Sequence, residues 1–141
     1  MNDDNDIIEF ITEKLNNYPE ILYNSDIKNQ LSIFTNHDDG FDIVLYSDEN
    51  ESILHLDGFH HHFAHTDHDI HTMIHLIFHA LTGKVKLEIF CKADKPYKFN
   101  LQALNNQGEW YVYKTMKLKL YKFWQKTSTK HLQNQFSADF L

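Results

Sequence analysis

The segment from Thr66 to Gly83 constrains this chain more than any other. At about 100° per residue, Ile70, Met73, Ile74, Leu76, Ile77, Phe78, Ala80 and Leu81 cover one broad face of a helix. Thr66 and Asp69 have the spacing of a capping box, and Gly83 supplies the C-terminal stop. So wide an apolar face has to pack on a sheet. The remaining segments provide one. Leu31–Thr35, Phe41–Tyr46 and Ile53–Phe63 read as strands, the third with a bulge at Gly58, and Asn36–Gly40 and Ser47–Ser52 read as the connections between them. After the helix, Lys84–Cys91, Tyr97–Leu104, Glu109–Met116 and Lys117–Trp124 are strand-like, and Thr127–Leu132 reads as a short edge strand. Ile7, Ile8, Ile11 and Leu15 predict an N-terminal helix over Asp4–Asn16, while residues 20–30 fit a short helix or an irregular connection equally well. The expectation is a single α+β domain over residues 1–141. Its antiparallel sheet has about six or seven strands, and the N-terminal helix and the central amphipathic helix pack on one face.

Composition excludes several classes. With 42% hydrophobic residues and 14% aromatics, the chain is too apolar to remain disordered. Cys91 is the sole cysteine, so neither an intrachain disulfide framework nor a cysteine-rich zinc module can form. The acidic opening residues carry no apolar run of signal-peptide or membrane-span length, and the expected location is the cytoplasm. The net charge is −7, unevenly spread. Residues 1–51 hold 13 acids and 2 lysines, whereas residues 84–141 hold 4 acids and 11 lysines. Every basic residue is Lys. Without Arg, the usual bidentate reader of guanine and phosphate, specific nucleic-acid recognition is not expected.

Eleven histidines are present, nine of them between His55 and His79. In Phe59-His60-His61-His62-Phe63, strand alternation puts His60 and His62 on one face and Phe59, His61 and Phe63 on the other. On the helix, His68, His71, His75 and His79 form one stripe, centred opposite the apolar face. Imidazoles at i and i+4 on a helix, or i and i+2 on a strand, can reach one zinc or other transition-metal ion. His60, His62, His71, His75 and His79 are therefore the candidate metal ligands. The simpler reading of the stripe is a solvated helix face, and of the strand pair ordinary sheet positions or a structural hydrogen bond between strand and helix. The protease motif HExxH is absent, since Thr72 and Leu76 follow His71 and His75. No nucleophile elbow or glycine-rich phosphate loop occurs. Cys91 reads as a buried thiol. Lys117, Lys119, Lys122 and Lys126, interleaved with Tyr121, Phe123 and Trp124, read either as a half-buried strand or as a stacking surface for single-stranded nucleic acid.

Five patterns lie between about residues 55 and 135: Phe59-His60-His61-His62-Phe63, Gly83–Ile89, Lys95–Leu101, Gly108-Glu109-Trp110 and Phe123-Trp124-Gln125-Lys126. In this order the chain resembles a group of small, mostly uncharacterised bacterial α+β proteins with an aromatic-His-x-His-Phe strand end. Phe59 stands where many of them have Trp, and Ala64 where an acidic residue is common. The resemblance implies the fold, and some proteins of this group are immunity partners in bacterial toxin systems. The leading expectation is thus a non-catalytic binding protein without a cofactor, meeting a protein partner, with His60, His62, Phe59 and Phe63 as the binding residues. The alternative is a histidine-rich metal-binding protein or a metal-dependent enzyme.

Overall fold

A computed structural model describes residues 4–118 and 124–140. The fold is α+β, with two helices and nine antiparallel strands among the described residues. In chain order these are α1 (Asp4–Leu15), β1 (Leu22–Asn24), β2 (Gln30–Phe34), β3 (Ile43–Ser47), β4 (Glu51–Leu56), β5 (Phe59–Ala64), α2 (Asp67–Leu81), β6 (Val85–Lys92), β7 (Lys95–Leu104), β8 (Trp110–Lys117) and β9 (Thr127–Gln133). The strands form two sheets, where the periodicity predicts one. The first has the order β1-β2-β3-β4-β5 and the second β8-β7-β6-β9.

The expected long strand Ile53–Phe63 is two strands. Asp57-Gly58 is a two-residue hairpin turn rather than a bulge, with Leu56 paired to Phe59 and Asp57 in the left-handed region at φ 56°. The ambiguous stretch 20–30 contributes the short edge strand β1. The strand expected over Lys117–Trp124 does not form as such. Lys117 closes β8, Trp124 lies in a turn, and residues 119–123 lie outside the described residues.

α2 matches its expectation closely. Thr66 Oγ1 accepts the Asp69 N–H at 3.2 Å, but the Asp69 carboxylate accepts from Ala64 N–H rather than closing the box on Thr66. At the other end Gly83 is left-handed at φ 81°, and the Lys84 N–H returns to the His79 carbonyl. All eight apolar face residues are buried. α2 touches both β5 and β6, so it joins the two sheets instead of lying on one. α1 packs on β3 of the first sheet. One continuous buried cluster draws on both helices, both sheets and Phe136.

The segment after β9 ties these parts together. Asn134 Oδ1 accepts from Thr35 Oγ1 and from the Phe41 N–H, and its Nδ2 donates to the Phe41 carbonyl. The Phe136 N–H donates to the Leu81 carbonyl at the end of α2. Phe140 stacks on Phe78 and meets Tyr18 edge-on. Among the described residues, no helix is long and apolar enough to cross a membrane.

Candidate functional site

Two groups of histidines stand out, one beside the first sheet and one facing the second. The first group follows from strand alternation and register. His60 and His62 share the outward face of β5, with their rings 5.7 Å apart. His55 on β4 is the register partner of His60, and their rings stack at 5.6 Å; Tyr46 on β3 meets His55 edge-on. His62 Nδ1 lies 3.1 Å from a carboxylate oxygen of Glu51. Partial burial, with His60 and His62 close by, holds His55 below the ordinary imidazole value. The inward face is different. Phe59 and Phe63, expected as binding residues, are 2% and 4% exposed and belong to the core. They hold β5 in place, because a strand with one dry face buries every second residue. His61, between them, packs edge-on against Phe63. Burial first, then the Lys114 ammonium, hold it below its usual value despite the opposing charge of Asp69.

The second group lines a cleft. His71, His75 and His79 project from α2 into a space of about 250 Å³ whose other boundary is the second sheet. Val85 of β6, Ala103 of β7, and Tyr111 and Tyr113 of β8 line the same space. The His71 and His75 rings are 4.1 Å apart, and His75 and His79 5.9 Å. The reading of this stripe as a plain solvated face holds for His68 and His71, which are exposed, and is corrected for His75 and His79, which are half-buried where residues of β7 and β8 line the same cleft. His79 lies at the helix C-terminus, where the dipole favours the cation. Burial first, then the Lys84 ammonium and His75, hold its pKa below the ordinary imidazole value. Burial likewise raises that of Tyr113.

The five proposed metal ligands are not assembled into one centre. Among the described residues, no three His, Cys, Asp or Glu side chains converge on a point that a metal ion could occupy. His60/His62 and His71/His75 remain pairs. A pair supplies two of the four ligands of a closed structural zinc site.

Two arrangements were not legible in the sequence. Ser52 Oγ lies 3.0 Å from His65 Nε2 and 3.0 Å from Ser47 Oγ, the contact pattern of a nucleophile and its base. Ser52 has 0% exposure, so no acyl group can reach it, and the contact serves the core. The only signal for it would be the pairing of Ser47 with Ser52 at the end of the β3–β4 hairpin. On the outer face of the second sheet, Glu88 accepts hydrogen bonds from Asn100 and Gln102, and its second oxygen is 3.0 Å from His131 Nε2. Thr115 donates to Asn100 Oδ1. Residues from all four strands thus meet in one polar row, because Glu88 is the register partner of both His131 and Asn100, and Asn100 of Thr115. Burial raises the Glu88 pKa, but the bonds from Asn100 and His131 prevail and hold it low. Cys91 is buried, as the sequence predicts. Of the lysine–aromatic run, Lys119, Tyr121, Lys122 and Phe123 lie outside the described residues, while Lys117, Trp124 and Lys126 are exposed.

The hairpin connectivity also converts the sequence charge gradient into a spatial one. The chain from Leu22 to Ala64, which builds the first sheet, carries 8 acids and 1 lysine. Among the described residues from Val85 to Gln133, which build the second, there are 3 acids and 8 lysines. Compared with protein families, curated proteins and solved structures, the chain has no match.

Proposed function

We propose that this protein is a non-catalytic, cytoplasmic binding protein that presents its acidic first sheet to a cationic protein partner, in the manner of an immunity protein masking a basic toxin. The observation that carries the reading is the segregation of charge within one small molecule: acids, mostly in the loops, around the first sheet, and lysines on the second. Such a field steers a cationic partner to one side and fixes its orientation on approach. The acids are available for this. Asp38, Asp39, Glu49 and Asp57 are exposed, and none of their carboxylates accepts a hydrogen bond or pairs with a lysine among the described residues. The pattern of residues 55–135 resembles a group of bacterial proteins of which some are immunity partners, and it agrees with the same reading.

The test is crosslinking in the cells of origin, followed by measurement of association rates with the basic proteins recovered. Wild type is compared with the combined variant D38N/D39N/E49Q/D57N at low and high salt. The reading expects an association rate that falls about tenfold or more with added salt and with the variant. A partner bound equally well by both proteins at both salt concentrations overturns it. The metal alternative retains one supporting observation, the close His71–His75 pair one helical turn apart. Metal analysis of protein purified without nickel resin decides that reading: one chelator-resistant zinc per chain supports it, and metal-free protein rejects it.

A further inference from the structure

We propose that the cleft between α2 and the second sheet is a binding site for a small aromatic carboxylate. Its walls are flat rings. His71 and His75 on α2 and Tyr111 and Tyr113 on β8 line it above a floor of Val85 and Ala103. A planar ring entering such a space gains stacked and edge contacts that a puckered aliphatic ring does not. At about 250 Å³, the cleft falls below the roughly 300–1,000 Å³ of pockets for drug-sized molecules. That size selects one ring with a short substituent.

Charge selects the substituent. His79 lines one end of the cleft and, together with Lys84, the cavity that adjoins it there. Lys84 makes no ion pair among the described residues. A carboxylate between this ammonium and the imidazole relieves their repulsion and accepts a hydrogen bond from each. The other charged or titratable groups near His79 are His75 on the same helix, Tyr111 and Tyr113 across the cleft, and Asp139 in the adjoining cavity that His79 and Lys84 also line. Asp69 and Lys114 lie at the far end, beside Tyr113. Ten helical residues, about 15 Å, separate Asp69 from His79, so the anion is placed away from the carboxylate on α2. The helix dipole is negative at the His79 end, but the Phe78 and His79 carbonyls already accept from the Thr82 and Lys84 N–H groups.

The test is saturation-transfer NMR and calorimetry with benzoate, cyclohexanecarboxylate and benzyl alcohol. Benzoate is expected to bind, and the other two to bind at least about threefold more weakly, because one lacks the flat ring and the other the charge. Benzoate affinity is expected to rise by up to about fivefold between about pH 7.5 and about pH 6.0, since a charge-assisted hydrogen bond is roughly twice as strong as a neutral one. His79→Gln removes that rise, and Lys84→Gln weakens benzoate at both pH values. Ala103→Trp fills the floor and abolishes binding. If that variant does not fold, Tyr111→Ala, at an exposed strand position, serves in its place and weakens benzoate. No saturation transfer to benzoate at millimolar concentration overturns the proposal. So does equal binding of the three compounds, or benzoate binding unchanged in the folded cleft variants.

Discussion

Asn134→Ala should be among the most damaging single substitutions in this protein, although it removes no apolar packing. Asn134 is buried and makes three hydrogen bonds: it accepts from the Phe41 N–H at 3.0 Å and from Thr35 Oγ1 at 2.7 Å, and donates to the Phe41 carbonyl at 2.9 Å. The three are not equal in consequence. Thr35 is partly exposed, so its hydroxyl can turn to water at little cost. Phe41 is 2% exposed, and both of its backbone groups would lose their partner where water does not reach. Leaving a buried polar group unpaired costs about 1–3 kcal/mol. Two such groups predict a loss of about 2–6 kcal/mol, centred near 4. In urea, with a slope of about 2 kcal/mol per molar, the midpoint should fall by about 2 M. Asn134→Asp should lose as much at neutral pH, because a carboxylate cannot donate to the Phe41 carbonyl and brings a buried charge. The assay is equilibrium urea unfolding followed by circular dichroism. A loss below about 1 kcal/mol in Asn134→Ala, with an unchanged slope, would show that the segment after β9 does not anchor the first sheet, and the reasoning would be refuted.

Three further outcomes are expected. Leu81→Ala, at the end of the buried face of α2, should cost about 2–4 kcal/mol in chemical denaturation; an unchanged midpoint would mean that α2 packs elsewhere. His55, His61 and His79 are all held below the ordinary imidazole value by burial, so the folded protein binds fewer protons than the unfolded chain just below about pH 6.5. Stability should therefore be full above that pH and fall as the pH drops through it, giving a lower melting temperature at about pH 5.5 than at about pH 7.5; identical melting temperatures would contradict the burial of these rings. Glu88→Ala should cost about 1–2 kcal/mol in thermal or urea unfolding, because the Asn100 side-chain amide, on a residue 8% exposed, loses its acceptor; a neutral substitution would mean that water replaces the carboxylate.

Local rules carried the sequence reading as far as element type. α2 was legible from end to end because its cap, its apolar spacing and its stop all lie within eighteen consecutive residues. The same holds for the sharing of a face by His60 and His62, which depends only on strand alternation. The β4–β5 hairpin was missed although Asp57-Gly58 is a strong turn signal, because apolar residues and histidines run on both sides of it with no other turn residue between Ile53 and Phe63. The candidate site was legible only in part. Phe59 and Phe63 looked like binding residues beside the histidines, yet the same alternation that exposes His60 and His62 buries them. Tyr111 and Tyr113 carried no signal as partners of His71, His75 and His79, since they lie more than thirty residues along the chain.

By itself, the sequence determined the α+β class, the antiparallel pairing, the wide buried face of α2 and the opposed charges of the two halves of the chain. Each of these depends on periodicity, turn chemistry or composition, which act over a few neighbouring residues. The tertiary structure alone decided that the strands part into two sheets, and that α2 joins them instead of covering one. It also decided that His71, His75 and His79, part of a histidine stripe that reads as a solvated face, line a cleft. Those outcomes rest on contacts between residues distant in sequence, such as β9 pairing with β6 or Asn134 holding Phe41. The burial of a helix face depends on which sheet comes to lie beside it, and no local pattern encodes that. Charge shows how the two levels join. Each sheet is built from one continuous stretch of chain, so an acidic half and a basic half of the sequence become acids around the first sheet and lysines on the second.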